Sequence, residues 1–235
     1  MKRFWDVAET VADPAGWQIR LDGRPVRIPG GNALAVPSRQ LADAIAAEWQ
    51  TVGGAKGGDF NLQAMALTRL AGTAQERVAP AREAIARELA RYGESDLLCY
   101  RAERPERLVQ RQHAEWQPWL EWADRTHGAR LIATAGIIHV PQDTEALAAL
   151  AGAVAAHDTI GLAALGVLVP ALGSLVLGLA VAGGALSGAE AHAVSVLDDI
   201  FQEELWGRDA DSHAGRLRVA ADVAVAETFL TLARA

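Results

Sequence analysis

From Thr159 to Ala189 the chain carries no charged side chain, and the run Ile160 to Leu186 is long enough to cross a hydrocarbon core of about 30 Å. Such a stretch must be either a membrane span or the centre of a helical core. Pro170 and the pair Gly183–Gly184 divide it, and Gly161, Gly166, Gly173 and Gly178 are scattered through it. Its flanks are the acidic Asp158 and Glu190, and the nearest basic residues are Arg130 and Arg208. A span is usually anchored on one side by Lys or Arg, so the pattern favours two buried helices that meet near Pro170.

The rest of the chain has the means to surround such a core. Of 235 residues, 51% are hydrophobic and 22% charged, the balance of a globular protein of one or two domains. The formal charge of −7 repels phosphate backbones, which argues against a nucleic-acid partner. The charge is uneven: residues 1–130 hold 18 Lys and Arg against 17 Asp and Glu, residues 131–235 only 4 against 12. An acidic second half can steer a basic partner surface or simply keep an apolar segment in solution. A single cysteine, Cys99, excludes an intrachain disulfide and any multi-cysteine metal site, and points to a reducing compartment. The opening Met-Lys-Arg-Phe-Trp-Asp has no apolar run of a secretory signal, so a bacterial cytoplasmic location is expected.

Periodicity divides the chain. Trp17 to Leu21 alternates apolar and polar residues, Asp22-Gly23 is a tight-turn pair, and Arg24 to Ile28 follows, a hairpin pattern that Ala33 to Val36 extends. Ser38 is placed to cap a helix that carries Leu41, Ile45 and Trp49 at four-residue spacing. Gly53 to Gly58, with four glycines, is expected to be a flexible loop. Helical spacing then prevails near 65–78, 81–92, 105–126, 143–156, 159–169, 171–183, 188–206 and 212–233, with an extended segment at 131–140. Pro118 should kink the 105–126 helix, and Ser187 with Glu190 forms a capping box. The expected class is α+β: a small β-rich N-terminal domain with one helix, residues 1–60, and a larger all-helical C-terminal domain, residues 61–235.

No catalytic template fits. Gly57 stands after Lys56 where a phosphate-binding loop needs Ser or Thr, and Ser174 lacks the second glycine of a nucleophile elbow. No two of the six histidines are three or four apart, which removes helix-face zinc motifs. Asp209, Asp211 and His213 could contact a metal but have the look of a solvated turn, and Cys99 sits among apolar neighbours as a packing residue. No cofactor, metal or catalytic residue is expected.

The densest polar feature is Leu197 to Gly207, where Asp198, Asp199, Glu203 and Glu204 crowd two helical turns. Carboxylates near a helix C-terminus oppose the helix dipole and repel one another. Three readings are open: a solvated face, a docking site for Arg or Lys of a partner, or a carboxylate pair serving a hydrolase-type enzyme. The docking reading requires these side chains to stay wet and unpaired until another chain arrives. Trp49 and Trp206, each at a helix end, are candidate aromatic anchors beside it.

Several segments occur in a telling order: Leu21-Asp-Gly-Arg24, Leu41 to Trp49, Met65-Ala-Leu-Thr68, Asp96-Leu-Leu-Cys-Tyr-Arg101, Gln112 with Glu115-Trp-Gln-Pro118 and Trp122, Gly173-Ser174, and Leu197 to Gly207. This set resembles the Atp-twelve family, assembly chaperones for the α subunit of the ATP synthase catalytic head. The chain differs from the family's usual Met-Pro-Leu-Thr at Ala66, has a longer glycine loop, and has Asp199 where Glu is common. The resemblance implies a β-rich domain followed by a helical one, and a soluble core for residues 160–186. It implies a non-enzymatic protein that binds the free α subunit, prevents its aggregation, and releases it when the β subunit docks; a monomer is expected. Trp49, Asp198, Asp199, Glu203 and Glu204 are the positions it suggests, and with Phe201 and Trp206 of the same helix end they make up the expected partner-binding set; neither nucleic acid nor membrane insertion is expected.

Overall fold

The computed structural model describes residues 1–136 and 138–235. Contacts group them into two compact units: residues 1–82 with 159–164 and 228–235, and residues 83–158 with 165–227. A small strand region precedes a mostly helical remainder, as the α+β class requires.

In the first unit, β1 (Ala8–Asp13) and β2 (Gly16–Leu21) pair antiparallel, with Ala8 opposite Leu21 and Asp13 opposite Gly16. β2 also pairs with β3 (Arg24–Pro25) and β4 (Ala35–Val36). The turn between β2 and β3 is the predicted Asp22-Gly23, both in the left-handed region, and the Asp22 carboxylate accepts from the backbone N–H groups of Asp6 and Val7. Helix α1 (Arg39–Thr51) packs on this sheet through Leu41, Ala42, Ile45, Ala46 and Trp49. Ser38 starts it as expected, accepting from Leu41 N at 3.1 Å while its hydroxyl donates to Leu232 O. Around α1, Trp5, Ile19, Leu34 and Met65 complete the core.

The glycine loop departs from its expected character. Arg3 is buried, and its guanidinium donates to the carbonyls of Gln50 (2.7 Å), Val52 (3.3 Å) and Gly54 (2.5 Å). This cation closes the C-terminal end of α1, where the helix dipole is negative. The Arg3 backbone bonds Gly57 and Gly58, and a Cβ on Gly58 would stand 1.8 Å from Gly53 O. Close approach, not freedom, demands glycine there. Glu48 on α1 then accepts from Leu67 N, Thr68 N and the Thr68 hydroxyl, so it caps α2 (Ala66–Thr73). Beyond α2 the backbone stays helical through Pro80, by a π turn (Ala74–Val78) and a 3₁₀ turn (Ala79–Ala81), into α3 (Arg82–Ala90).

In the second unit, a 3₁₀ turn (Leu97–Cys99) leads to β5 (Tyr100–Arg101), which pairs in parallel with β6 (Thr134–Ala135). Ile137, inside the segment expected to be extended, lies outside the described residues. Helix α4 (Glu106–His127) runs through Pro118 and buries Gln112, Trp116, Leu120 and Ala123. It is followed by α5 (Thr144–Ala155), by α6 (Thr159–Leu172), whose residues 159–164 group with the first unit, and by α7 (Leu175–Ala182). The uncharged run breaks at Gly173 (φ 63°) and Ser174, later than the expected Pro170. Proline removes one N–H from a helix, whereas a left-handed glycine ends it and Ser174 caps the next one. Among the described residues no helix is long and apolar enough to cross a membrane.

The predicted single helix 188–206 is two, α8 (Gly188–Ser195) and α9 (Leu197–Trp206), broken at Val196. There the backbone leaves helical geometry and the Ser195 hydroxyl donates to His192 O. The capping box of Ser187 and Glu190 forms as the spacing predicts. Helix α10 (Ala210–Arg234) ends the chain.

Candidate partner-binding surface

Polar side chains from distant pieces of sequence hold the elements around α9 in place. Asp96 is fully buried, and its carboxylate accepts from Leu98 N and Val176 N, both at 3.0 Å, so one side chain anchors a 3₁₀ turn and the first turn of α7. Leu97 N donates to Gly173 O beside it. Burial pushes the Asp96 carboxyl above the ordinary range, against the backbone N–H groups that pull it down. Cys99, behind it, is raised to about 12 by burial, a packing thiol and not a reactive one.

Arg101 then donates to Leu98 O and Gln112 O and lies over the Trp116 ring at 5.4 Å. The Gln112 amide accepts from Ala102 N and donates to Asp198 Oδ1 at 2.8 Å. Trp116 Nε1 donates to Val194 O at 3.0 Å. Together α4 and the 96–102 segment fix the α8–α9 corner through buried polar contacts.

The carboxylates of α9 do not form the single wet, unpaired face that docking was expected to require. Asp198 is half-buried on Gln112, and that burial raises its pKa. Glu203 is enclosed, 14% exposed at the side chain, against Arg216 at 11%. Glu204 pairs with Arg111 at 2.7 Å and Arg107 at 3.8 Å on the surface. Arg208, just after α9, lies 3.9 Å from Glu203, but the other arginines come from α4 and α10, far along the chain, where a local reading of the acidic run could not find them. Asp199 is exposed. Phe201, 3% exposed, and Trp49, 7%, lie in the cores of their units, so a part for either in docking is indirect. Trp206, in contrast, is 77% exposed, with Leu205 beside it.

Asp199, Glu203 and Trp206 line one side of an open groove of about 690 Å³. Asp209 and Arg216, neither singled out as a partner-binding position, are on its other side. Asp209 starts α10, accepting from Ser212 N at 2.7 Å, and that N–H holds its carboxyl below the usual range. Among the described residues no His, Cys, Asp and Glu side chains group as a metal site. The arrangement offers negative charge, a large exposed indole and an enclosed ion pair.

The raised pKa of Asp198 gives a pH prediction. The native state holds this proton more tightly than the unfolded chain, so the contribution is fully present below the ordinary carboxylate pKa and is lost as pH rises through the folded value. Asp198→Asn keeps an acceptor for Gln112 but cannot ionise. Its stability relative to the parent should therefore rise as pH climbs above the ordinary carboxylate range, read from urea midpoints at each pH.

Comparison with known proteins places this architecture in a family. Residues 2–124, just over half of the chain, match the family described as ATP12 chaperone protein, and the chain belongs to that family. The crystal structure of Atp12 from Paracoccus denitrificans has a TM-score of 0.94 and 43% identity, over 99% of this chain and 98% of that one. The Atu1473 protein of Agrobacterium tumefaciens gives a TM-score of 0.91 and 37% identity, over 98% and 85%. The mitochondrial protein atp12 of Schizosaccharomyces pombe is 26% identical over 220 residues, 90% of this chain and 76% of that protein.

Proposed function

We propose that this protein is an assembly chaperone of ATP synthase that binds the unassembled α subunit of the catalytic head, keeps it from aggregating, and yields it when the β subunit docks. It acts as a monomer in the bacterial cytoplasm, with no cofactor and no catalytic step. Membership of a chaperone family supports the class, and the resemblance in sequence supports the client. The observation that carries the reading is the open groove at α9, where exposed Trp206 stands beside Asp199 and Asp209. A large exposed aromatic next to unneutralised charge is the composition of a docking edge.

The groove is large enough for a small substrate, so a hydrolase must be weighed. A general acid working near neutrality needs a raised pKa in the groove, yet Asp209 is shifted down and Glu203 is engaged by Arg216. Those facts favour docking over catalysis.

Asp199→Lys and Trp206→Ala should each weaken capture of purified α subunit about tenfold, the scale of a single anchoring contact, while Glu83→Lys at an exposed position of α3 should leave it unchanged. Equal capture by all three variants would remove the α9 groove from the mechanism.

A further inference from the structure

The first half of α10 adds nothing to the buried core. No residue from Ala210 to Asp222 is buried, although Val223 and Ala226 just beyond are. Beneath that half lie two cavities. The acidic groove of about 690 Å³ takes Ser212, Gly215 and Val219 as its α10 wall. A second groove of about 500 Å³ is walled by Leu197 and Ile200 of α9 and by His213 and Leu217 of α10, with Glu115 and Glu190 at its margin. Arg216 lines both. From this shared wall, to which Val196 also belongs, it reaches Glu203 of the first groove.

The two grooves differ in chemistry. The first presents three carboxylates, Asp199, Glu203 and Asp209, to one cation, Arg216, with the Trp206 ring beside them. The second has an aliphatic floor and the exposed Leu217. An occupant complementary to both carries a cationic side chain with aliphatic neighbours.

We propose that the Glu203–Arg216 pair is a clasp closing a cleft between α9 and α10. A client segment bearing an arginine or lysine opens it by taking Glu203 from Arg216, while its aliphatic neighbours fill the second groove. This rests on the reading of the protein as a chaperone that binds the α subunit. The exchange replaces one cation by another on the same carboxylate, so the desolvation of Glu203 is already met in the free protein. Arg216, once released, still lines the second groove, whose lining also holds Glu115. A near-balanced exchange of this kind keeps affinity moderate, as a chaperone that must surrender its client requires.

The test uses the full chain and purified recombinant α subunit of the same organism's ATP synthase, with affinity and melting temperature measured for each variant. Arg216→Gln removes the closer and more enclosed of the two cations on Glu203, leaving only exposed Arg208 at 3.9 Å, and should tighten binding about tenfold, the scale of one enclosed charge contact, even as it lowers the melting temperature. The double variant Glu203→Arg with Arg216→Glu restores an internal pair, and with it stability, but should bind α at least about tenfold more weakly because the carboxylate has moved to the other helix. If the double variant recovers both stability and parental affinity, the pair is a structural brace and the proposal is overturned. Weaker binding by Arg216→Gln, or its self-association in place of capture, overturns it too; if Arg216→Gln does not fold, the double variant decides. Absence of α binding by the parent chain would instead overturn the functional reading, and the clasp with it.

Discussion

Asp96→Ala should lower the unfolding free energy by about 3 kcal/mol, because two buried backbone N–H groups lose their acceptor where water cannot replace it. For a domain of this size that corresponds to a fall of roughly 6–12 °C in melting temperature. Two effects oppose each other at this position. Burying a carboxylate is unfavourable, as its raised pKa records, and deleting it relieves that cost. The pairing should win because the N–H groups of Leu98 and Val176 belong to different elements, and losing the carboxylate frees both. Asp96→Asn separates the two effects. It keeps one acceptor and carries no charge, so it should be less harmful than alanine, and calorimetry of the two variants checks the order.

Trp116→Ala should cost about 3–5 kcal/mol, the usual range for removing a fully buried aromatic. The indole fills the space under the α8–α9 corner, donates to Val194 O, and supports the Arg101 guanidinium. Trp116→Phe would keep most of the packing and lose the hydrogen bond, so its smaller loss, about 1–2 kcal/mol, combines the Val194 contact with a small packing deficit. Urea unfolding of both variants provides the comparison. An alanine loss below that of phenylalanine would show that the indole is not what supports the corner.

These two residues explain why the fold was so readable in sequence. Most of the ordered pieces that carry the family resemblance are joints between elements. Glu48 before Trp49 caps the helix that starts at the Met65-Ala-Leu-Thr68 piece. Asp96 spans to Gly173-Ser174, and Gln112 spans to Asp198. A joint needs a particular side chain at a particular place, so it leaves a mark that composition does not. Caps are local for the same reason, and Ser38 and Ser187 were placed correctly from their neighbours alone.

What was not legible depends on partners far along the chain. Strand β1, Ala-Glu-Thr-Val-Ala-Asp, has little apolar alternation and becomes a strand by pairing with β2. The glycine loop looked free because nothing nearby announced that Arg3 would gather its carbonyls. The acidic run of α9 gave the location of the candidate surface but not its state: Arg107, Arg111 and Arg216 neutralise much of it from α4 and α10. Periodicity placed Phe201 on α9 but did not reveal that it faces inward while Trp206 faces out. The surface that remains is narrower than the sequence suggested, and it includes Asp209 and Arg216, which the acidic run does not contain.

The most direct test is a titration. Purified α subunit is held in solution by this chain, β subunit is added in steps, and the species are followed by size-exclusion chromatography with light scattering. The account predicts a complex of one chain with one α subunit that disappears as α–β assemblies form, with the chain recovered free. A chain that forms no complex with α, or that stays bound to α after β has assembled, would contradict it.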